Sequence, residues 1–123
     1  MALNPQVMKK AQEELDRVVG KGELPDFSHK DNLPYIDALV KEVLRWGPPL
    51  PLSVPNRAMQ NDVYRGYLIP AGTTVIQNVW AIFRNPEIYP DPETFNPDRF
   101  LEDGKTNPLV PNPEDRAFGA GRR

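Results

Sequence analysis

Apolar residues in the first part of the chain recur at spacings of three and four, which is the period of an α-helix. Asn4 is a suitable N-cap and Pro5 suits a first helical turn, whereas Gly20 and Gly22 end the pattern. We therefore predict a helix over about 5–19, followed by a loop. Its apolar face holds Val7, Met8, Ala11, Leu15, Val18 and Val19, and its polar face holds Lys9, Lys10, Gln12, Glu13, Glu14 and Asp16.

A second amphipathic stretch predicts a helix over about 33–46. It begins near Pro34 and ends at Gly47, because the prolines that follow cannot continue a helix. Glu42 and Arg45 lie three residues apart, on the side opposite the apolar stripe. Periodicity alone favours a solvent-exposed ion pair there, worth about 0.3 kcal/mol. The apolar stripe consists of Ile36, Leu39, Val40, Val43 and Leu44.

The pattern then changes from helical to extended. Prolines punctuate residues 47–55, and the apolar residues between them suit the lining of a cavity better than the centre of a sheet. Residues 54–79 form the β region, with strand-like segments on both sides of the turn Arg65-Gly66 and β-branched residues over 73–79. We expect one small, twisted antiparallel sheet, followed by core residues that include Trp80, Ile82 and Phe83.

From residue 85 onward the chain is rich in turns. Each of five dipeptides joins Asn or Asp to Pro, and such pairs mark turns and loops. So long a tail without regular structure favours a segment that wraps around another part of a larger protein. The overall composition agrees, because 15 of 123 residues are proline and only 39 % are hydrophobic.

Composition also narrows the chemistry. The net charge is −2, with 15 basic and 17 acidic side chains well mixed, so we expect neither nucleic-acid binding nor a polybasic membrane patch. The chain has no cysteine and only one histidine, His29, which excludes a cysteine- or histidine-built metal site. No apolar run approaches the ~18 residues of a membrane span.

Two further features favour ordinary roles when each is taken alone. Arg99, in the stretch FNPDRF, has the context of a surface arginine in a loop. The stretch FGAGR, which begins at Phe118, is weak as a phosphate loop because no Gly-Lys-Ser/Thr follows it. It is better suited to close approach of the backbone to a flat ligand, with an arginine that reaches an anionic group.

The order of the motifs is more specific than any one of them. The chain contains KEVLR, PPLPLSVPNR, GYLIPAGTTV, FNPDRFL and FGAGRR in succession. In that order it resembles the haem-thiolate monooxygenases of the cytochrome P-450 family, and most closely members from microbial eukaryotes. The resemblance covers nearly the whole chain. It implies a partial P-450 fold over 1–123 that is mainly α with a small antiparallel sheet, an α+β fragment ending in an irregular, proline-rich meander.

The resemblance assigns three charged residues to one network. Glu42 and Arg45 match the family's Glu-x-x-Arg pair, and Arg99 matches the arginine of its Pro-x-Arg-Phe motif. In the family these side chains form a buried ion network that pins the meander to the core and helps to retain haem. This implied role replaces the exposed ion pair expected from periodicity, and no catalytic residue is assigned.

Further residues match the family's haem-binding positions. Phe118, Gly121 and Arg123 match the start of the haem-binding loop, in which the iron-ligating cysteine would come two positions after Arg123. Arg123 and Arg57 match partners of the haem propionates, whereas Asn56 departs from the histidine that other members carry. The segment that passes over the haem and touches an apolar substrate is matched by Leu50, Leu52, Ser53 and Val54.

The implied function is that of a C-terminal piece of a haem monooxygenase. The whole enzyme would insert one atom of O2 into an apolar organic substrate, with electrons delivered by a reductase, and the parent is expected at the endoplasmic-reticulum membrane. The chain alone, without a cysteine, is expected to be inactive. A catalytically silent, truncated protein that acts through protein contacts remains the alternative.

Overall fold

The computed structural model of the protein describes residues 2–119, and two helices dominate its first half. Helix α1 is Pro5–Val18 and α2 is Pro34–Trp46. The loop between them contains a 3-10 turn, Phe27–Asn32, in a stretch predicted to be irregular. The remaining elements are β1 (Asn56–Arg57), β2 (Asp62–Tyr64), β3 (Tyr67–Ile69), β4 (Thr74–Val75), α3 (Val79–Phe83), a 3-10 turn (Pro97–Phe100), β5 (Leu101–Glu102), β6 (Lys105–Thr106) and α4 (Glu114–Ala117).

This architecture confirms the predicted α+β class, but the expected single sheet is replaced by three two-stranded antiparallel pairs among residues 2–119. β1 pairs with β4, and β2 pairs with β3 around the predicted turn Arg65-Gly66. β4 stops at Val75 because Asn78 starts α3, with its Oδ1 accepting a hydrogen bond from the Ala81 amide at 3.0 Å. The third pair, β5 with β6, lies in the tail that was expected to be irregular.

Helix α1 packs against the start of α2. Its residues Val7 and Ala11 are buried in one cluster with Tyr35 of α2. Asn4 is the N-cap residue, as predicted, but its side chain makes no capping hydrogen bond, and only its carbonyl takes part, accepting from the amides of Val7 and Met8. No helix within residues 2–119 is both long and apolar enough to cross a membrane.

The main core lies against the side of α2 that was predicted to be polar. Val40 and Val43, two members of the predicted apolar stripe, are 46 % and 49 % exposed, whereas Glu42 and Arg45 are completely buried. The reason is that the meander packs over the polar side of α2 and covers it. The buried members of this core are Ala38, Val79, Phe83, Tyr89, Phe100 and Ala117, while Trp80, predicted as core, is half exposed.

Candidate functional site

The site begins with the pair formed by Glu42 and Arg45 on α2. Helical geometry places residues three apart on one face, so the two side chains meet without distortion of the backbone. Arg45 donates from Nε to Oε2 of Glu42 at 2.7 Å and from Nη2 to Oε1 at 2.8 Å. Both side chains have no solvent exposure. The contact is thus a bidentate, fully desolvated ion pair.

Arg99 reaches the same carboxylate from the meander. It lies in the 3-10 turn Pro97–Phe100, which Asn96 caps by accepting from the Asp98 amide at 3.1 Å. The Nε atom of Arg99 is 3.2 Å from Oε2 and 3.3 Å from Oε1 of Glu42. The Asn96 amide also donates to Oε1 at 2.7 Å. The structure therefore brings together all three residues of the ion network implied by the sequence.

The two guanidinium groups outnumber the single carboxylate, and main-chain carbonyl groups supply the other acceptors. These carbonyls all lie within residues 83–94, so the path of that segment is fixed by the two arginines. A buried charge is tolerated only when its hydrogen-bonding groups are satisfied, which explains the dense pairing. Arg45 donates to the carbonyls of Phe83 (2.9 Å), Pro92 (2.8 Å) and Thr94 (3.3 Å), and Arg99 donates to those of Pro90 (2.6 Å), Asp91 (3.0 Å) and Thr94 (2.9 Å).

One side of the network is closed by aromatic rings. The Cζ atom of Arg45 lies 5.7 Å from the centroid of the Tyr89 ring, which in turn makes edge contacts with Phe83 and Phe100. The Tyr89 hydroxyl donates to the carbonyl of Pro111 at 3.0 Å. Burial in this apolar setting raises the pKa of Tyr89 to about 12. The network thus lies in a desolvated environment.

A third arginine, Arg84, links the end of α2 to the meander, and no motif in the sequence singled it out. Arg84 lies between two indoles, with Cζ 5.7 Å from the ring centroid of Trp46 and 5.2 Å from that of Trp80. It donates from Nη2 to the Trp46 carbonyl at 3.0 Å, and its Nε is 3.1 Å from Oε1 of Glu93. These contacts link the C-terminal ends of α2 and α3 to Glu93 of the meander.

Glu14 has a structural role that the sequence pattern did not indicate. It was assigned to the solvent face of α1, yet it is buried and its carboxylate accepts from the amides of Tyr35 (3.1 Å) and Ile36 (2.9 Å). It therefore caps the N-terminus of α2 from another helix. One feature of the sequence indicates that α2 needs a cap from elsewhere. Leu33, which directly precedes Pro34, has no side-chain acceptor with which to cap the helix.

The residues expected on the haem and substrate side lie apart from the ion network. Leu50, Leu52 and Val54 are 48 %, 55 % and 66 % exposed, and Ser53 between them has a positive φ of 49°. The Pro51 carbonyl accepts from the Trp80 amide at 2.9 Å, which ties the segment to α3.

Arg57 and Phe118 are also exposed. Arg57 lies on β1, and its Nη2 atom would be 3.1 Å from a Cβ atom added at Gly72. Phe118, 73 % exposed, directly follows α4. Gly121 and Arg123 lie outside the described residues.

Comparison with known proteins defines the class of this chain. The family model for cytochrome P-450 matches residues 1–123, so the chain belongs to that family of oxidoreductases. It is 56 % identical to a cytochrome P-450 monooxygenase of Armillaria gallica, 51 % identical to one of Coprinopsis cinerea, and 49 % identical to the O-methylsterigmatocystin oxidoreductase of Aspergillus flavus. Each alignment covers the whole chain but only 24 %, 23 % and 23 % of these relatives, so the chain spans about a quarter of their length.

The family implies haem, and the described residues fit the periphery of that group. Within residues 2–119 the Arg57 guanidinium has no hydrogen bond or ion pair, which leaves its donors available to a carboxylate. The exposed apolar segment 50–54 precedes it along the chain and suits contact with a flat, apolar ring system. In the same described part of the chain, no three His, Cys, Asp or Glu side chains are grouped as metal ligands.

Proposed function

We propose that this chain forms part of a haem-dependent monooxygenase that inserts one atom of O2 into an apolar organic substrate, with electrons supplied through a reductase. The observation that carries the proposal is the buried cluster of Glu42, Arg45 and Arg99 in a chain of the P-450 family. It gives the irregular meander a single path, as a scaffold for a large cofactor requires.

In this proposal the chain's own residues bind and orient rather than transfer protons. Arg57 would hold a haem carboxylate by a charge-assisted hydrogen bond. The apolar side chains of segment 50–54 would contact the substrate and exclude water from it. The haem, when bound, supplies the activation of oxygen. The relative from Aspergillus flavus carries an organic compound in its name, which supports an organic substrate here as well.

The test is to graft the chain into a complete relative. The Coprinopsis cinerea monooxygenase aligns with the chain over 123 residues, so the chain can replace that segment of it. We expect the graft to bind haem and to show the Soret band of a thiolate-ligated, carbon monoxide-bound haem after reduction. A graft that unfolds cooperatively but binds no haem would contradict the proposal and favour the alternative of a silent protein that acts through contacts.

The 123-residue chain by itself is the control. It has no cysteine to supply a thiolate ligand, so we expect no thiolate-type Soret band from it. A clear band of that type from the isolated chain would show that a different ligand arrangement operates.

A further inference from the structure

The Nε–Nη2 edge of the Arg57 guanidinium faces Gly72. A Cβ atom added at Gly72 would lie 3.1 Å from Nη2, 3.5 Å from Nε and 3.8 Å from Cζ of Arg57. The first of these distances is too short for comfortable van der Waals contact. A side chain at residue 72 would therefore require the guanidinium to move away.

The backbone holds the two residues in this relation. Arg57 is paired with Thr74 in the β1–β4 ladder. The next residue, Ala58, donates from its amide to the Thr73 carbonyl at 2.9 Å and accepts from the Gly72 amide at 2.7 Å. The turn that carries Gly72 is thus anchored on both sides of Ala58. Because the main chain is fixed, a crowded Arg57 would respond by moving its side chain.

The donor groups of Arg57 face an open cleft. The cleft has a volume of about 300 Å³ and is lined by Arg57, Ala58, Met59, Ala71 and Gly72. Within the described range 2–119 no acceptor engages the guanidinium, although its Nε–Nη2 edge lies close to Gly72. An arginine that is oriented by packing and has unused donors is suited to bind an anionic group.

We propose that Gly72 is a positioning residue that orients Arg57 toward a haem carboxylate. This inference rests on the proposed haem-binding function and adds a residue that the motif comparison did not assign to it. The backbone conformation at residue 72 also favours glycine, because its φ is +86°. Gly66 is the control for this backbone effect, since its φ is +84° and an added Cβ there would meet no atom within 4 Å.

The experiment compares Gly72→Ala with Gly66→Ala in the haem-loaded graft. The measured quantity is the rate at which haem transfers to an excess of apomyoglobin, with the urea midpoint of the haem-free protein as the measure of folding. We expect similar midpoints for the two variants, because both carry the same backbone strain. We expect faster haem loss from Gly72→Ala only, by about tenfold, the size of one charge-assisted hydrogen bond.

Arg57→Ala distinguishes the two ways in which the inference can fail. If Arg57→Ala leaves the rate of haem loss unchanged, the proposed role of Arg57 itself is wrong. If Arg57→Ala speeds haem loss but Gly72→Ala behaves like Gly66→Ala, only the positioning role of Gly72 is wrong.

If the Gly72→Ala protein folds too poorly to load haem, the double variant Arg57→Ala/Gly72→Ala provides the test. With the guanidinium removed, the added methyl group has space, so we expect the double variant to fold and to lose haem at the rate of Arg57→Ala alone. A double variant that also fails to fold, or that loses haem faster than Arg57→Ala, would overturn the inference.

Discussion

Glu42 accepts more charged partners than any other residue discussed above. Its two carboxylate oxygens accept hydrogen bonds from Arg45, Arg99 and the Asn96 amide, and no part of its side chain is exposed to solvent. Pairing compensates the large desolvation cost of these charges, and the loss of one partner leaves the others buried without compensation. The network therefore depends on each member more than a surface ion pair does.

Glu42→Gln in the graft should lower the free energy of unfolding by about 3–5 kcal/mol, because it leaves two buried guanidinium groups without their carboxylate. Urea unfolding measures this. The matched control is Glu13→Gln, since Glu13 pairs with Lys9 at 3.8 Å on the solvent-exposed side of α1. We expect the control to cost less than about 1 kcal/mol. Equal costs for the two variants would show that the Glu42 network contributes no more than a surface pair.

From the raised pKa of the buried Tyr89 we predict a specific loss of stability at alkaline pH. Its pKa is raised by burial to about 12 in the folded protein, against an ordinary value near 10 in the unfolded chain. Its contribution is fully present below pH ~10 and is lost as the pH rises from about 10 to 12, by about 2–3 kcal/mol in total. Tyr89→Phe should be about 1 kcal/mol less stable at pH 8, through the lost bond to Pro111, and should lose less stability above pH 10.

Unfolding of the graft and its Tyr89→Phe variant across pH 8–11 tests this. A stability difference between them that stays constant over that range would contradict the assignment.

At the residue scale, the sequence identified the network only through the order of its motifs. Helical periodicity placed Glu42 and Arg45 correctly opposite Val40 and Val43, but it assigned the charged pair to solvent, whereas the pair is buried and the two valines are half exposed. The other members of the predicted apolar stripe are partly buried and pack against the core clusters, as expected: Ile36, Leu39 and Leu44. Periodicity reports which residues share a face, and it cannot report which face another segment covers. The meander that covers this one, including Arg99, lies some fifty residues farther along the chain.

At the scale of elements, α2 is the piece to which the others attach. The meander packs on its buried face, α1 and α4 contact it, and Glu14 caps its N-terminus from α1. The two helices could be predicted from sequence because Pro5, Pro34 and the apolar spacing are local signals. Glu14 could not, since its partners are more than twenty residues away, and neither could the pairing of β5 with β6 in a proline-rich tail.

Glu14→Gln should therefore loosen the start of α2. A neutral side chain accepts weaker hydrogen bonds from the amides of Tyr35 and Ile36 and interacts less favourably with the helix dipole, at a cost of about 1 kcal/mol. Hydrogen exchange of the graft, followed by mass spectrometry, should show faster exchange in peptides that contain these two amides. Glu13→Gln, one residue away and exposed, should leave it unchanged. Equal protection in both variants would exclude the cap as a stabilising contact.

At the scale of the whole molecule, apolar side chains are distributed between a small core and a large exposed surface. Val40, Val43 and the segment 50–54 all present apolar groups to solvent in the described part of the chain. Exposed apolar surface of this extent is typical of interfaces rather than of free protein surfaces. It agrees with a chain that matches about a quarter of the length of its relatives.

We accordingly expect the isolated 123-residue chain to be marginally stable. It should bind the dye ANS and unfold over a broad temperature range, since the outer sides of its helices lack packing partners within residues 2–119. Calorimetry of the chain beside the graft measures the difference, with the graft expected to unfold sharply. A sharp, cooperative transition of the isolated chain without dye binding would show that its described core is sufficient for a stable fold.

We propose that the buried ion network of Glu42, Arg45 and Arg99 holds the haem-side scaffold in place. The rate of haem transfer to apomyoglobin from the graft carrying Glu42→Gln, beside the graft carrying Glu13→Gln, tests this. We expect rapid haem loss from the first variant and an unchanged rate from the second. Equal rates of haem loss from two folded variants would contradict it.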